Sequence, residues 1–187
     1  MKKNILTLIY IGLICSCSAQ KNLVENQIIN CQNEIYRGVN YDLKKAINDY
    51  EILLIEGKLL EDNSGKSYIT LLNRILANKN FQIDSLISFY DLDPWYKVNE
   101  SIKTQIQACE NNQVNHSTKW TRILTELDSI AMEENQPDPT FRILLDNLIE
   151  SDFELYFYKL KTFLAIEMIN SKFGERQPLP LILSEDN

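Results

Sequence analysis

The chain has 187 residues, with 19 basic against 26 acidic side chains and a formal charge of −7. That length suits one domain with a sizeable core, and an acidic surface repels phosphate backbones and anionic head groups, so nucleic acid is not an expected partner. Five glycines and five prolines are too few for an all-β or linker-rich chain.

The first segment reads as an export signal. Met1-Lys2-Lys3-Asn4 gives a basic start, Ile5 to Ile14 an apolar run, and Ser16 a small residue before Cys17. The run is too short for a bilayer core, which needs about twenty residues, and the plan is that of a cleaved signal. Ile14-Cys15-Ser16-Cys17 resembles the lipobox of bacterial lipoproteins: a branched apolar residue at −3, a small residue at −1, cysteine at +1. Cys15 at −2 departs mildly from that pattern, and Cys15 itself is a poorer acceptor because bulky Ile14 precedes it. The resemblance implies diacylglycerol on Cys17, cleavage after Ser16 and stable anchoring by two or three acyl chains. It covers about the first twenty residues, so it implies an address rather than an activity. Loss of Lys2 and Lys3 leaves 17 basic residues against 26 acidic, a formal −9.

Export changes the meaning of the two remaining cysteines, Cys31 and Cys109. A pair in an oxidising compartment suggests a disulfide; the alternative is two buried thiols. Val24, Ile28, Cys31 and Ile35 are spaced 4, 3, 4, and Val98, Ile102, Ile106 and Cys109 are spaced 4, 4, 3. Both stripes predict helices whose cysteines face the core, which either reading permits.

From residue 22 onward the periodicity is helical. Asn22 to Tyr36 forms the first helix, with Gly38 as its stop. Leu43, Ala46, Ile47, Tyr50, Leu53 and Leu54 mark a second that ends near Gly57, and Glu61 to Gly65 is a turn. Ile69, Leu72, Ile75 and Leu76 continue in helical register, and Phe81 to Tyr90 predicts a short helix. Asp93-Pro94 is a start signal, aspartate as N-cap and proline at the first position, for a helix running to Asn111. Ser117 can cap the next, which carries Trp120, Ile123, Leu124, Leu127 and Ile130. Asp138-Pro139 opens another with Phe141, Leu144, Leu145 and Leu148. Ser151-Asp152-Phe153-Glu154 reads as a capping box for a helix that is apolar on most sides to about Phe173, as suits the middle of a bundle. Pro178-Leu179-Pro180-Leu181-Ile182-Leu183 predicts an extended tail. The two Asp-Pro starts are 45 residues apart, but their windows match poorly, so a helical repeat is the weaker reading.

Several chemistries are legible by failure of a motif. Ser64-Gly65-Lys66-Ser67 ends like a P-loop, but Leu60 stands where the first glycine belongs, so a helix-start turn is the better reading. Leu60 also spoils a calcium loop. The one histidine, His116, lies with Ser117 in a turn and makes neither a metal site nor a triad. The exported thiols read as structural rather than nucleophilic. Asp91, Asp93, Glu133, Glu134 and Asp138 flank turns and could gather at one end of a bundle, where a hydrolase would need two across a cleft; capping and solvation explain them more simply.

Phe89, Tyr90, Trp95 and Tyr96 cluster around Asp91-Leu92-Asp93, as the edge of a core or, with Tyr90, Trp95 and Tyr96 as anchors, as an interaction patch. Asp84-Ser85-Leu86 and Asp128-Ser129-Ile130 resemble the O-glycosylation motif of some Gram-negative envelope proteins, which makes Ser85 and Ser129 candidate acceptors.

The resulting expectation is a signal peptide over 1–16, a lipidated tether over 17–21, and one all-α domain over 22–187, a bundle of roughly seven helices. The functional expectation is a non-catalytic envelope lipoprotein, a protein-binding or immunity-type module whose acidic charge steers it to a basic envelope protein or toxin. The alternatives are a carboxylate-dependent envelope hydrolase and a structural spacer. No cofactor is expected. Ser18-Ala19-Gln20-Lys21 carries no acidic run, which favours an outer-membrane position facing the periplasm over the cell surface.

Overall fold

A computed structural model describes residues 23–78, 81, 83, 88, 89, 92, 95, 98–112, 118–130, 137–167 and 169. The fold is all-α. Among the described residues there are seven α-helices: α1 Leu23–Arg37, α2 Leu43–Glu56, α3 Gly65–Ala77, α4 Glu100–Asn111, α5 Lys119–Ile130, α6 Pro137–Asn147 and α7 Tyr156–Glu167, with a 3-10 helix at Glu150–Glu154 before the last.

Local chemistry sets the first three helices. The Gly38 N–H returns to the carbonyls of Glu34 and Ile35 at the end of α1. The turn then passes Asn40, whose φ of 60° is one that asparagine tolerates better than most side chains. Asp42 caps α2 by accepting the Lys45 N–H at 3.0 Å, an interaction worth about 1 kcal/mol. At the far end of α2, Gly57 is the cap, but the left-handed position falls on the next residue, Lys58, at φ 59°. The N–H groups of Leu59 and Leu60 then both reach the Leu54 carbonyl. Ser64 caps α3 through the Ser67 N–H, so Ser64-Gly65-Lys66-Ser67 is a helix start. Gly65 is required there by close approach: a Cβ at this position would stand 1.9 Å from the Glu150 carbonyl oxygen.

One expected helix and three helix starts differ from the sequence expectation. Of the segment 81–90, the described residues Phe81, Ile83, Ser88 and Phe89 are not α-helical, because a buried carboxylate, Glu167, takes the Phe89 N–H and the Ser88 hydroxyl. α4 begins at Glu100 rather than Asp93, since Asn99 is itself extended and its side chain accepts the Ile102 N–H at 3.0 Å as the N-cap. α5 is capped by Thr118, not Ser117: Thr118 Oγ1 accepts the Thr121 N–H, and Thr121 Oγ1 accepts the Thr118 N–H. The box expected at Ser151 lies two residues earlier, where Asp152 accepts the Ile149 N–H at 2.7 Å and starts the 3-10 helix. Leu155 is extended, and α7 begins only after it.

The buried residues form one contiguous cluster, with α7 at its centre. α7 packs against α1, α2, α6 and the 3-10 helix; α1 also meets α4, α3 meets α6, and α5 meets α6. Phe157, Tyr158, Leu160, Phe163, Ala165 and Ile166 are all buried, spread around the α7 circumference. Phe163 meets Tyr50 of α2 edge-on at 4.8 Å, and Phe153 stacks on Tyr68 of α3 at 4.6 Å. Such pairs add about 1 kcal/mol each beyond the area they bury.

Candidate functional site

Charge enters the core along α7. Glu51, Lys159, Lys161, Glu110, Glu25 and Glu167 all have their charged ends inside or at the margin of the apolar cluster. The Glu51 carboxylate of α2 accepts from the Tyr68 hydroxyl at 2.6 Å and from Lys159 at 2.6 Å. Glu110 of α4 accepts from Lys161 at 2.6 Å and from the Gln32 amide of α1 at 3.0 Å. Glu25 of α1 accepts from the Tyr158 hydroxyl at 2.9 Å. Glu167, near the end of α7, accepts from the Tyr50 hydroxyl at 3.0 Å and the Ser88 hydroxyl at 3.1 Å, besides the Phe89 N–H. The Lys161 ammonium also stands 5.0 Å from the Trp120 ring centre and 5.3 Å from that of Phe157, a second favourable environment for a desolvated cation.

Burial of a charge is tolerated best when it is paired and hydrogen-bonded: Lys159 and Lys161 pair with Glu51 and Glu110, whereas Glu25 and Glu167 are held by uncharged donors, and the second oxygens of Glu25 and Glu110 are buried with no hydrogen-bond partner among the described residues. The three tyrosines are held as neutral donors. Burial, reinforced by Glu167, raises the Tyr50 pKa well above its ordinary value; burial and the Glu51 hydrogen bond do the same for Tyr68, and burial with Glu25 for Tyr158. These bonds tie α7 to α1, α2 and α4, and α2 to α3, inside the bundle.

The sequence does not reveal this ladder of buried charge: Lys159 and Lys161 lie in a segment that is apolar on most sides, and the carboxylates that sequence singles out flank the turns. The available signal was position: Glu25 shares the α1 face of Ile28, Ile29, Gln32, Asn33 and Tyr36, all buried. Asn33 is satisfied there by the Leu43 N–H at 2.8 Å.

Cys31 and Cys109 are joined by a disulfide, with 5.9 Å between their Cα atoms. It ties α1 to α4 beside the Gln32–Glu110 hydrogen bond. Cys109 is buried, but Cys31 is exposed and does not face the core as its stripe suggested. The buried face of α1 lies one residue round, on the Gln32–Asn33 side, because polar residues there find partners.

Of the other residues singled out in sequence, Cys17, Ser85, Tyr90, Asp91, Asp93, Tyr96, His116, Ser117, Glu133, Glu134 and the tail 178–183 lie outside the described residues, as do the side chains of Ser129 and Asp138. Phe89 is fully buried against Tyr50. Trp95 is half-buried, packs on the core and carries Lys103 over its ring at 5.9 Å. Among the described residues no group of three or more His, Cys, Asp or Glu is placed to hold a metal, and no helix is long and apolar enough to cross a membrane.

A pocket of about 390 Å³ opens between the C-terminal turn of α2 and α3. Ile55, Leu59 and Leu60 supply its apolar part, Lys58, Arg74 and Glu61 its charges, and Ser67 and Thr70 its hydroxyls. Arg74 donates to the Leu59 carbonyl at 3.3 Å and stands 5.8 Å from the Phe81 ring centre. Comparison of the chain with protein-family models, with curated proteins and with solved structures gives no match.

Proposed function

We propose that the chain is a lipoprotein of the cell envelope, anchored through Cys17, whose all-α domain acts as a non-catalytic protein-binding or immunity-type module. The observation that carries this reading is the Cys31–Cys109 disulfide behind a lipobox-like Ile14-Cys15-Ser16-Cys17. Such bonds persist where the compartment is oxidising, and exposed Cys31 leaves this one within reach of any cytosolic reductant. The formal charge after signal removal supports a basic partner, an envelope protein or a toxin, met through steering. Only residues 18–22 separate Cys17 from α1, a span of about 17 Å when extended, so the domain works close to its own leaflet, on this reading the periplasmic face of the outer membrane.

Metabolic labelling with palmitate tests the anchor: the native chain takes up label and fractionates with membranes, and Cys17→Ser does neither. Label retained by Cys17→Ser removes the lipoprotein reading. Crosslinking of the anchored chain in intact cells is expected to trap a protein of net positive charge, in amounts that fall as salt rises; an insensitive or acidic partner removes the steering argument.

A further inference from the structure

We propose that the pocket between α2 and α3 binds a ligand carrying one carboxylate on an apolar body, with Lys58 and Arg74 as its anion-holding residues. Lys58 adopts a φ of 59° immediately after Gly57. Glycine takes that conformation freely and lysine does not, yet the glycine stands one position earlier and the lysine takes the strained one. Its ammonium has no partner among the described residues, so no ion pair offsets the strain. Strain of this kind accumulates at ligand clamps.

Arg74, an exposed residue, donates to the Leu59 carbonyl and stands over the Phe81 ring, leaving further N–H groups of its fork for an anion. Ser67 adds a buried donor. It is 6% exposed and lines the pocket; its oxygen accepts the Glu61 and Asp62 N–H groups, and its own proton has no acceptor among the described residues. Two cations against Glu61 leave one net positive charge, which suits a monoanion, whereas a dianionic phosphate would meet Glu61 unfavourably. Ile55, Leu59 and Leu60 fit an aliphatic body, and the volume falls in the range of small-ligand sites. The carboxylate belongs either to a free small acid or to a peptide C-terminus.

The test titrates the full chain, held in nanodiscs of uncharged phosphatidylcholine, with acetyl-Ala-Ala-Leu as the free acid, the same peptide as its amide, hexanoate and inorganic phosphate. The acid is expected to bind at least about tenfold more tightly than the amide. Lys58→Gly is expected to lose about tenfold in affinity while melting at the same temperature or higher, since it relieves the left-handed strain. Arg74→Gln loses binding too. Hexanoate binding as tightly as the peptide acid assigns a free small acid, and weaker binding assigns a chain end; either supports a carboxylate site. Equal binding of acid and amide, unaltered binding by Lys58→Gly, tighter binding of phosphate, or no titration by any probe overturns it.

Discussion

Glu51 accepts both of its described hydrogen bonds on one oxygen, from a phenol that cannot ionise at neutral pH and from a lysine whose side chain is 12% exposed. The pair therefore joins α2, α3 and α7 at a point where water competes poorly. Removing one member of such a pair leaves the other charge buried, at a cost of about 3 kcal/mol or more, whereas removing both charges together is often close to neutral. Lys159→Met should accordingly destabilise the fold by about 3 kcal/mol in denaturant unfolding. Adding Glu51→Gln, which keeps an acceptor for Tyr68, should restore at least half of that loss. If the double variant is as unstable as the sum of the singles, the two charges are not coupled and the hydrogen bonds to Glu51 are incidental.

At the scale of elements, the link between α1 and α4 is covalent. Cys31 and Cys109 are 78 residues apart, and a loop of that length stabilises by about 4 kcal/mol on the chain-entropy estimate. The unreduced chain should show no free thiol. Reduction should then lower the melting temperature by roughly 8 °C or more; an equal melting temperature would mean that the Gln32–Glu110 bond and the apolar contacts of α1 already fix the two helices. The helices read well from sequence are those whose caps lie next to their apolar stripes, as Asp42 does before Leu43 and Ser64 before α3. Asp93-Pro94 and Ser151 carry equally good local signals, yet α4 is capped by Asn99 and the 3-10 helix by Ile149. At Ile149 the deciding contact is distant: Gly65 lies against the Glu150 backbone, and Asp152 pairs with Lys119 of α5. The polar ladder was illegible for a related reason. A glutamate on a helix reads as solvated until the fold shows which lysine or tyrosine reaches it, and those partners come from up to 133 residues away.

Across the whole molecule, three phenols bind the bundle together: Tyr50 joins α2 to the end of α7, Tyr68 joins α3 to α2, and Tyr158 joins α7 to α1. Each donates its proton to a buried carboxylate, so ionisation would place two negative oxygens side by side in the core. Burial, with the partner glutamate behind it, accordingly holds all three pKa values above the ordinary 10.0. A raised folded-state pKa means that the folded chain keeps the proton more tightly than the unfolded chain. The stability from these phenols is therefore complete below pH 10.0 and falls as pH rises past it. Ultraviolet difference absorbance for tyrosinate, followed together with far-ultraviolet circular dichroism, should show these three phenols ionising only as helicity is lost, in one cooperative transition above about pH 10. Tyr68→Phe removes one of the three proton-linked groups and should make the transition less steep in pH, although it costs stability at neutral pH. Three late tyrosinates appearing with helix content unchanged would show that the bundle does not depend on them, and that α7 is held at its centre by apolar packing and the two lysine pairs alone.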